Sequence, residues 1–584
     1  MKSENWSSRV GVILAVAGSA VGLGNFLKFP GQVALYGGAA FMIAYVISFF
    51  IVGLPISVLE WTMGRYGGAN GYNSAPGILG YVCSSKKMAY FGVLGVTLTL
   101  IIYCYYVYIE AWCLGYAVNF LLGNLSFANV EESGKFFAEF IGVAENGSAM
   151  NFGIKGVLIF LFLSFLLNFW MIYRGVSRGI EFFCKYAMPA LVIIALIMVG
   201  RVLTLGNMSA EYPERSVEQG LGFMWNPEKV VLERELSPGS GEWVFEKRLV
   251  GNGEIERAEK EIALRASLCD GSDPLRIKRI SIWAQLADPS IWIAAAGQVF
   301  FSLTIGFGLI MTYASYLRRR DDIVLSSMTS CSANEFCEVC LGGMITVPPA
   351  VALFGVSGVV GAGLSLFDLG FKVLPMFFVS LPMGWLFGFL FFFLLYLGAV
   401  TSSLSMLQPS VAFLEEATKM RRSLATIILG AIAAFLTGFV VYFSEDLKVM
   451  DTFDFWMGQV AIYVFAMVST IVFAWKFGID RGIKMANEGS LIRTPPGLGF
   501  VIKYLTPTFL LAIFVLWLAK DVFGLIGNGK LSAYILDLIG GPNHPVNTVS
   551  WMSVAAMAGI FAFYSLLLSR AKKYDVFKSS RRRK

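Results

Sequence analysis

Twelve stretches of about twenty mostly apolar residues punctuate the chain, each long enough to cross the hydrocarbon core of a bilayer as a helix. Their centres fall near Ala20, Ser48, Ile102, Phe162, Val192, Ser302, Ile345, Leu397, Ile432, Val464, Leu511 and Ala558. The pattern excludes a soluble enzyme, and composition agrees. Hydrophobic residues make up 57% of the chain, charged residues 15%, and the mean hydropathy is +0.68. The sequence predicts an all-α membrane protein.

An even number of spans places both termini on one side. Short basic loops at Lys86-Lys87, Arg174 to Lys185, Arg318 to Arg320, Lys419 to Arg422 and Arg581 to Lys584 share that side. The inward bias of basic residues makes it cytoplasmic. The net charge of +7 then reflects topology, and no nucleic-acid partner is expected. The segment "SENWSSRVGVILAV" enters the first span without a small-residue cleavage site, so that helix is expected to be retained. A plasma membrane, specifically a bacterial inner membrane, is the expected location, with the lipid bilayer as a partner and an oligomer compatible with the pattern.

Catalytic chemistry finds no footing. The single histidine, His544, excludes HExxH-type zinc sites and any multi-histidine centre. Cys104, Cys113, Cys184, Cys331, Cys337 and Cys340 lie in expected spans, Cys83 in an expected cytoplasmic loop and Cys269 outside, so no disulfide framework is expected. Cys337-Glu338-Val339-Cys340 has redox-motif spacing but sits within a span, where cysteine serves packing. No nucleophile–base pair is evident, and no enzyme is expected.

The charged, turn-rich stretch from about Thr204 to Asp288 departs from the membrane pattern. It reads as an extracellular insertion with a hairpin around "VGNGE" and a short helix from about Glu254 to Leu268, dispensable for the rest of the chain. The organisation expected is helices one to five over 1–203, the extracellular loop over 204–288, helices six to ten over 289–478, and two further helices with a basic tail over 479–584.

Two spans contain residues that break helices. The first carries Gly18, Ser19, Gly22, Gly24 and Asn25 mid-span, and the sixth carries Ser302, Thr304, Gly306 and Gly308. Unwinding a helix in lipid frees N–H and C=O groups that must find ligands. Freed carbonyls suit an alkali cation, and half-helix N-termini suit a carboxylate. Paired interruptions in corresponding spans of two five-helix halves point to a 5+5 inverted-repeat transporter with its site at the midplane.

The stretch "WSSRVGVILAVAGSAVGLGNFLKFPGQVALYGG", with "YYVYIEAW", "GQVFFSLTIGFGLIMTYASY", "SANEFCEVCLGG", "GAVTSSLSMLQP" and "DFWMGQV", closely resembles the neurotransmitter:sodium symporters, most closely their bacterial leucine-transporter branch. The resemblance covers nearly the whole chain apart from the insertion. It implies two Na⁺ sites. One would comprise the Ala20 carbonyl, Asn25, Ser302, Asn334 and the substrate carboxylate. The other would comprise carbonyls of Gly18, Val21 and Gly398 and the hydroxyls of Thr401 and Ser402. Such nearly neutral donor sets fit a monovalent ion better than Ca²⁺.

The same resemblance implies a substrate pocket. Tyr106 and Ser402 would meet the polar end of the substrate, with Ser19, Ala20, Leu23 and Gly24 along the unwound stretch. Ile102, Phe301, Ser302, Thr304, Phe307 and Met406 would line the rest. Family members that carry biogenic amines have an aspartate where this chain has Gly22, so a zwitterionic amino acid with an apolar side chain is the implied substrate. Lys28 and Asp454 match an outer gate, although the family usually has arginine at the first position. Trp6 and Glu416 match an inner gate, whose usual arginine position holds Ser3, leaving Lys2 or Arg9 as substitutes. Glu338 stands one helical turn beyond Asn334, where chloride-dependent members have serine. A carboxylate there would supply the charge that chloride supplies in those relatives. The expectation is a Na⁺-coupled, chloride-independent amino-acid symporter with Glu338 ionised while Na⁺ is bound. A transport-fold sensor or partner-binding protein is the alternative.

Overall fold

The computed structural model describes residues 6–205, 215–226, 228–236, 241–249, 251–268, 275–361, 366–525 and 531–579. Within them nine continuous helices are long and apolar enough to cross a membrane, and the bent pair Arg9–Ala20 and Gly24–Tyr36 forms a tenth span. The expected spans centred on Phe162 and Ser302 fall on the shorter apolar helices Leu158–Tyr173 and Pro289–Leu303. The latter is short because the chain breaks immediately after it.

Lys86–Leu121 and Gly384–Thr418 pack against each other at the centre of the bundle. The apolar stretch of the first is 94% buried within the protein, against 22% for Thr548–Arg570, which places one at the core and the other on the lipid-facing rim. A helix that is apolar all round needs protein or lipid on every side, and Lys86–Leu121 finds protein.

Both expected breaks are present. Arg9–Ala20 starts at Ser8, whose side chain accepts from the Gly11 N–H, and stops at Val21, which adopts extended backbone (φ −77°, ψ 101°). The two halves meet at 44°. Pro289–Leu303 stops at Thr304, which is left-handed (φ 51°), and Gly306 and Gly308 follow with φ of 77° and 72° before Leu309–Ala314 begins. Glycine carries such backbone without the Cβ clash that other residues meet.

The insertion is a small β-sheet with a covering helix. Strands β1 (Lys229–Glu235), β2 (Trp243–Leu249) and β3 (Leu275–Ile280) are antiparallel in the order β2-β1-β3. Val230, Leu232, Leu249 and Leu275 form its core with Ala258, Ile255 and Ile262 of the Gly251–Leu268 helix. The hairpin expected around "VGNGE" is displaced: the paired strands are instead those joined by the stretch between Glu235 and Trp243, where the sequence holds a proline and two glycines. Gly251 to Gly253 instead open the helix.

Arg248 of β2 ties this sheet to the membrane bundle. It is 2% exposed, its guanidinium lies 4.7 Å from the Phe223 ring centre, and it packs on Gly37, the left-handed cap (φ 74°) of the Phe29–Tyr36 helix. A cation at a helix C-terminus is favoured by the helix dipole. Burial pulls the Arg248 pKa down to about 10, which leaves it charged at neutral pH. Strand β2 also packs on the Gly343–Gly361 helix. A deletion from Glu233 to Arg276 would therefore remove Arg248 and cut β1 and β3 mid-strand, so the insertion is not the detached excursion that its sequence suggests.

All seven described cysteines are free. Cys83, expected in a loop, closes the Ala75–Cys83 helix and is buried, and Cys269 lies outside the described residues.

Candidate functional site

The two breaks face each other. Ser19 Oγ and Thr304 Oγ1 lie 3.2 Å apart, linking the unwound turns directly. Within the first break the Gly22 N–H donates to Asn25 Oδ1 at 2.8 Å, which turns it away from the Gly18 carbonyl it would meet in a continuing helix. The Ser19 carbonyl accepts from Ser402 Oγ at 3.1 Å.

One hydrogen-bonded chain contains three of the expected ion ligands. Asn25 Nδ2 donates to Asn334 Oδ1 at 2.8 Å, and Asn334 Nδ2 donates to Ser302 Oγ at 2.6 Å. Ser302 Oγ donates to Glu338, closing the chain on a fully buried carboxylate. Glu338 also accepts from Tyr45 at 2.8 Å, from Asn334 at 3.2 Å and from Gln298 Nε2. Four neutral donors from three helices thus converge on one carboxylate, with the expected ligands Asn25, Ser302 and Asn334 on its near side. The Tyr45 hydroxyl also lies 2.9 Å from both oxygens of Glu335, so the two carboxylates compete for its single proton.

Residues expected to hold a second ion meet where the first break crosses Gly384–Thr418. A Cβ on Gly398 would lie 3.1 Å from Gly22 Cα and 3.2 Å from the Val21 carbonyl oxygen, so glycine lets the unwound backbone approach closely and a side chain here would crowd it. A Cβ on Gly18 would lie 3.3 Å from the Thr401 Cβ, so this glycine also packs closely on Gly384–Thr418. Thr401 Oγ1 and Ser402 Oγ donate to the Gly398 carbonyl at 2.9 and 3.0 Å. Carbonyls and hydroxyls, with no carboxylate among them, are a donor set for a monovalent cation.

Above these clusters, on the face that carries the insertion, lies a cavity of about 60 Å³ lined by Leu23, Lys28, Tyr106, Phe301 and Asp454 among others. Ile102, Phe307 and Met406, expected to line the pocket, are buried and do not line this cavity. A Cβ on Gly22 would lie 2.8 Å from Ser402 Oγ and 3.0 Å from the Tyr106 hydroxyl, so these two hydroxyls close around the glycine.

Lys28 and Asp454 share the cavity without pairing. Lys28 Nζ lies 4.0 Å from the Phe301 ring centre, and Asp454 accepts from Tyr105 at 2.7 Å and from Gln459 at 3.0 Å. The ammonium and carboxylate that match an outer gate stand apart, each with another partner.

At the opposite face the N-terminal segment is latched. Trp6 Nε1 donates to the Tyr313 carbonyl at 3.0 Å, and the rings meet edge to face at 5.2 Å. Glu416 accepts from the backbone N–H groups of Asn73 (2.7 Å) and Ser74 (3.2 Å) and from the Tyr574 hydroxyl (2.6 Å). Arg9 is exposed, so it does not replace the missing arginine, and Lys2 and Ser3 lie outside the described residues. The chain beside Trp6 is held by Glu181, which accepts from the backbone N–H groups and hydroxyls of both Ser7 and Ser8.

Four contributors escaped the sequence reading. Tyr45 and Gln298 complete the Glu338 cluster. Glu60, fully buried, accepts from the Gly306 N–H at 3.2 Å and so braces the second break. Glu110, also fully buried, accepts from Ser403 at 2.5 Å and Asn168 at 3.1 Å beside the Thr401–Ser402 turn. Gln298 lies one turn before Ser302, and a lone carboxylate in an apolar span is itself a signal, so three of the four were detectable. Tyr45 sits in "FMIAYVISFF" with nothing to distinguish it.

A sequence model described as the sodium:neurotransmitter symporter family matches residues 3–150 and 274–560. The chain belongs to that family. An uncharacterised sodium-dependent transporter of Methanocaldococcus jannaschii is 24% identical over 523 residues, covering 88% of this chain and 90% of its own. Another uncharacterised sodium-dependent transporter, from Haemophilus influenzae, is 24% identical and covers 88% and 97%. The crystal structure of MhsT in complex with L-phenylalanine superposes with a TM-score of 0.68 at 25% identity, covering 88% of this chain and 99% of MhsT. This symporter-family protein is a multi-pass, sodium-dependent transporter and not an enzyme. The unmatched stretch from 151 to 273 contains most of the insertion, the membrane-spanning helix Val176–Leu203 and the shorter apolar helix Leu158–Tyr173.

Proposed function

We propose that the protein is a Na⁺-coupled symporter for zwitterionic, mainly apolar amino acids, working by alternating access and independent of chloride. The observation that carries this reading is Glu338, a buried carboxylate in the same hydrogen-bonded chain as Asn25, Ser302 and Asn334. A cation beside it needs no external anion. MhsT, the phenylalanine-bound neighbour, supports the substrate class.

On this reading one Na⁺ is held by the Ala20 carbonyl, Asn25, Ser302, Asn334 and the substrate carboxylate. A second is held by Gly18, Val21, Gly398, Thr401 and Ser402. A ligand shared between ion and substrate means that each raises the affinity for the other by the same factor. The membrane holds twelve spans with both termini cytoplasmic, and the insertion is extracellular. Closure toward the outside brings Lys28 off the Phe301 ring and onto Asp454. A cation–π contact is worth about 0.5 to 2 kcal/mol, a small barrier to that switch. Opening toward the cytoplasm releases Trp6 from Tyr313 and Ser7–Ser8 from Glu181.

Reconstituted liposomes test the reading. Uptake of phenylalanine or leucine is expected with an inward Na⁺ gradient and not with choline⁺ or K⁺ in its place. Asn25→Ala and Thr401→Ala are each expected to raise the Na⁺ concentration for half-maximal uptake about tenfold, the effect of losing one ligand worth about 1.4 kcal/mol. Unchanged Na⁺ dependence in both variants would reject the ion-site assignment.

A further inference from the structure

An open cavity of about 610 Å³ lies between the helix Ile479–Ala486 and the start of Leu498–Val522, and it shares no residue with either expected ion cluster or with the cavity between Lys28 and Asp454. Ile479 and Ile483 form its floor. A Cβ on Gly499 would lie 3.5 and 3.7 Å from these two side chains, so the helices touch there. The loop between the helices is held in shape by a reciprocal clasp. The Thr494 N–H donates to Asn487 Oδ1 at 2.8 Å, and Asn487 Nδ2 donates to Thr494 Oγ1 at 3.0 Å. In the same loop the Leu491 N–H donates to Asp322 at 2.7 Å, which places the cavity on the face where Trp6 is latched.

The charged groups on its walls sit at a telling depth. Lys503 lies five residues into the span Leu498–Val522, about 7.5 Å along its axis, and Lys484 lies two residues before the end of Glu445–Ala486. Both are level with lipid headgroups, where a long basic side chain carries its charge to the polar layer. The apolar stretch of Leu498–Val522 is only 28% buried within the protein, and Phe500 and Tyr504 on the rim are 63% and 50% exposed, so the cavity opens toward lipid. Asp480 and Lys484 stand one turn apart on one helix, a spacing that favours an ion pair, yet neither forms one among the described residues. Lys503 also has no ion pair among them and rests 5.2 Å from the Tyr504 ring centre. Arg481 turns elsewhere, onto the rings of Tyr66 and Phe477, and donates to the Tyr66 hydroxyl at 2.8 Å.

Two ammoniums and one carboxylate around a cavity at this depth complement a phosphodiester and a primary ammonium carried by one molecule. A headgroup with a phosphate and only hydroxyls leaves the charge of Asp480 unmet, and a trimethylammonium has no N–H to donate to it. We propose that this cavity binds the headgroup of an aminophospholipid, with the phosphate between Lys484 and Lys503, the ammonium on Asp480 and the acyl chains along Phe500 and Tyr504. Each contact alone is weak in so open a site, so selectivity comes from meeting all three charges at once. The bound lipid then bridges the end of one span and the start of the next.

Native mass spectrometry of the full chain, titrated in detergent with phosphatidylethanolamine, phosphatidylglycerol or phosphatidylcholine, measures this selectivity. Phosphatidylethanolamine is expected to be retained severalfold more than either of the others. Asp480→Asn should abolish its advantage over phosphatidylcholine, and Lys484→Gln combined with Lys503→Gln should lower its retention severalfold. Lys476→Gln, exposed near the same helix but outside the cavity, should change neither. Glycerophosphoethanolamine, the headgroup without acyl chains, should not displace the lipid. The acidic and basic variants report independently, so loss of one to misfolding leaves the other decisive. Equal retention of the three lipids, a preference for phosphatidylglycerol, or a phosphatidylethanolamine preference unchanged in the folded variants would each overturn the proposal. Displacement by glycerophosphoethanolamine would overturn a lipid as the occupant.

Discussion

Replacing Glu338 with serine is expected to create a chloride requirement that the parent lacks. Four donors, from Tyr45, Gln298, Ser302 and Asn334, point at the Glu338 carboxylate. Truncation to serine removes the Glu338 charge and its two acceptor oxygens, leaving Ser302 and Asn334 short of an acceptor, while Tyr45 keeps Glu335 and Gln298 keeps the Gly24 carbonyl. Leaving buried neutral donors unpaired costs on the order of 1 to 3 kcal/mol each, enough for two of them to suppress uptake by at least tenfold in a chloride-free medium. A chloride ion accepts from the same donors and restores the charge beside Asn334 and Ser302. Uptake by the parent should be the same in chloride and in gluconate, whereas Glu338→Ser should work only in chloride. Glu338→Gln, which fills the space without charge, should be weak in both media. A parent that already fails in gluconate would end the argument.

Introducing a carboxylate at Gly22 is expected to abolish uptake of zwitterionic amino acids. A Cβ there already lies 2.8 Å from Ser402 Oγ and 3.0 Å from the Tyr106 hydroxyl, so an aspartate must enter the space where the substrate carboxylate is proposed to lie. Two like charges 4 Å apart repel by about 4 kcal/mol at an effective dielectric constant of 20, roughly a thousandfold in affinity. Gly22→Asp should therefore reduce phenylalanine uptake to background while the protein still reaches the membrane. Gly22→Ala should reduce it less, through crowding alone. Retained uptake in the aspartate variant would place the substrate carboxylate elsewhere.

Much of this arrangement was legible because lipid makes backbone chemistry conspicuous. Glycine, serine and asparagine inside an apolar run announce a break, and both breaks occur at the expected residues. Glu338 was legible for a similar reason, since a carboxylate in a span needs partners. The same reasoning applied to Glu60 and Glu110 would have exposed the brace on Gly306 and the anchor on Ser403. What the sequence does not encode locally is convergence: Tyr45 and Glu338 are brought together by helix packing across hundreds of residues. The inner latch illustrates the limit. Matching residues to a familiar pattern led to Lys2 or Arg9, of which Arg9 is exposed and Lys2 lies outside the described residues, whereas Glu181 and Tyr574, distant in the chain, hold Ser7–Ser8 and Glu416. In the insertion, the glycines of "VGNGE" resembled a turn, but the proline-containing run before Trp243 separates the paired strands.

The seat of Arg248 on Gly37 gives the insertion a mechanical meaning. Strand β2 rests on the half-helix that carries Lys28 and also on the Gly343–Gly361 helix, so the sheet is a crossbeam over two supports. If those supports shift relative to each other during the transport cycle, the crossbeam must tilt, bend or lift from one of them. A binder gripping its exposed Val244 and Phe245 would then act as a wedge, halting the cycle without ever entering the substrate path.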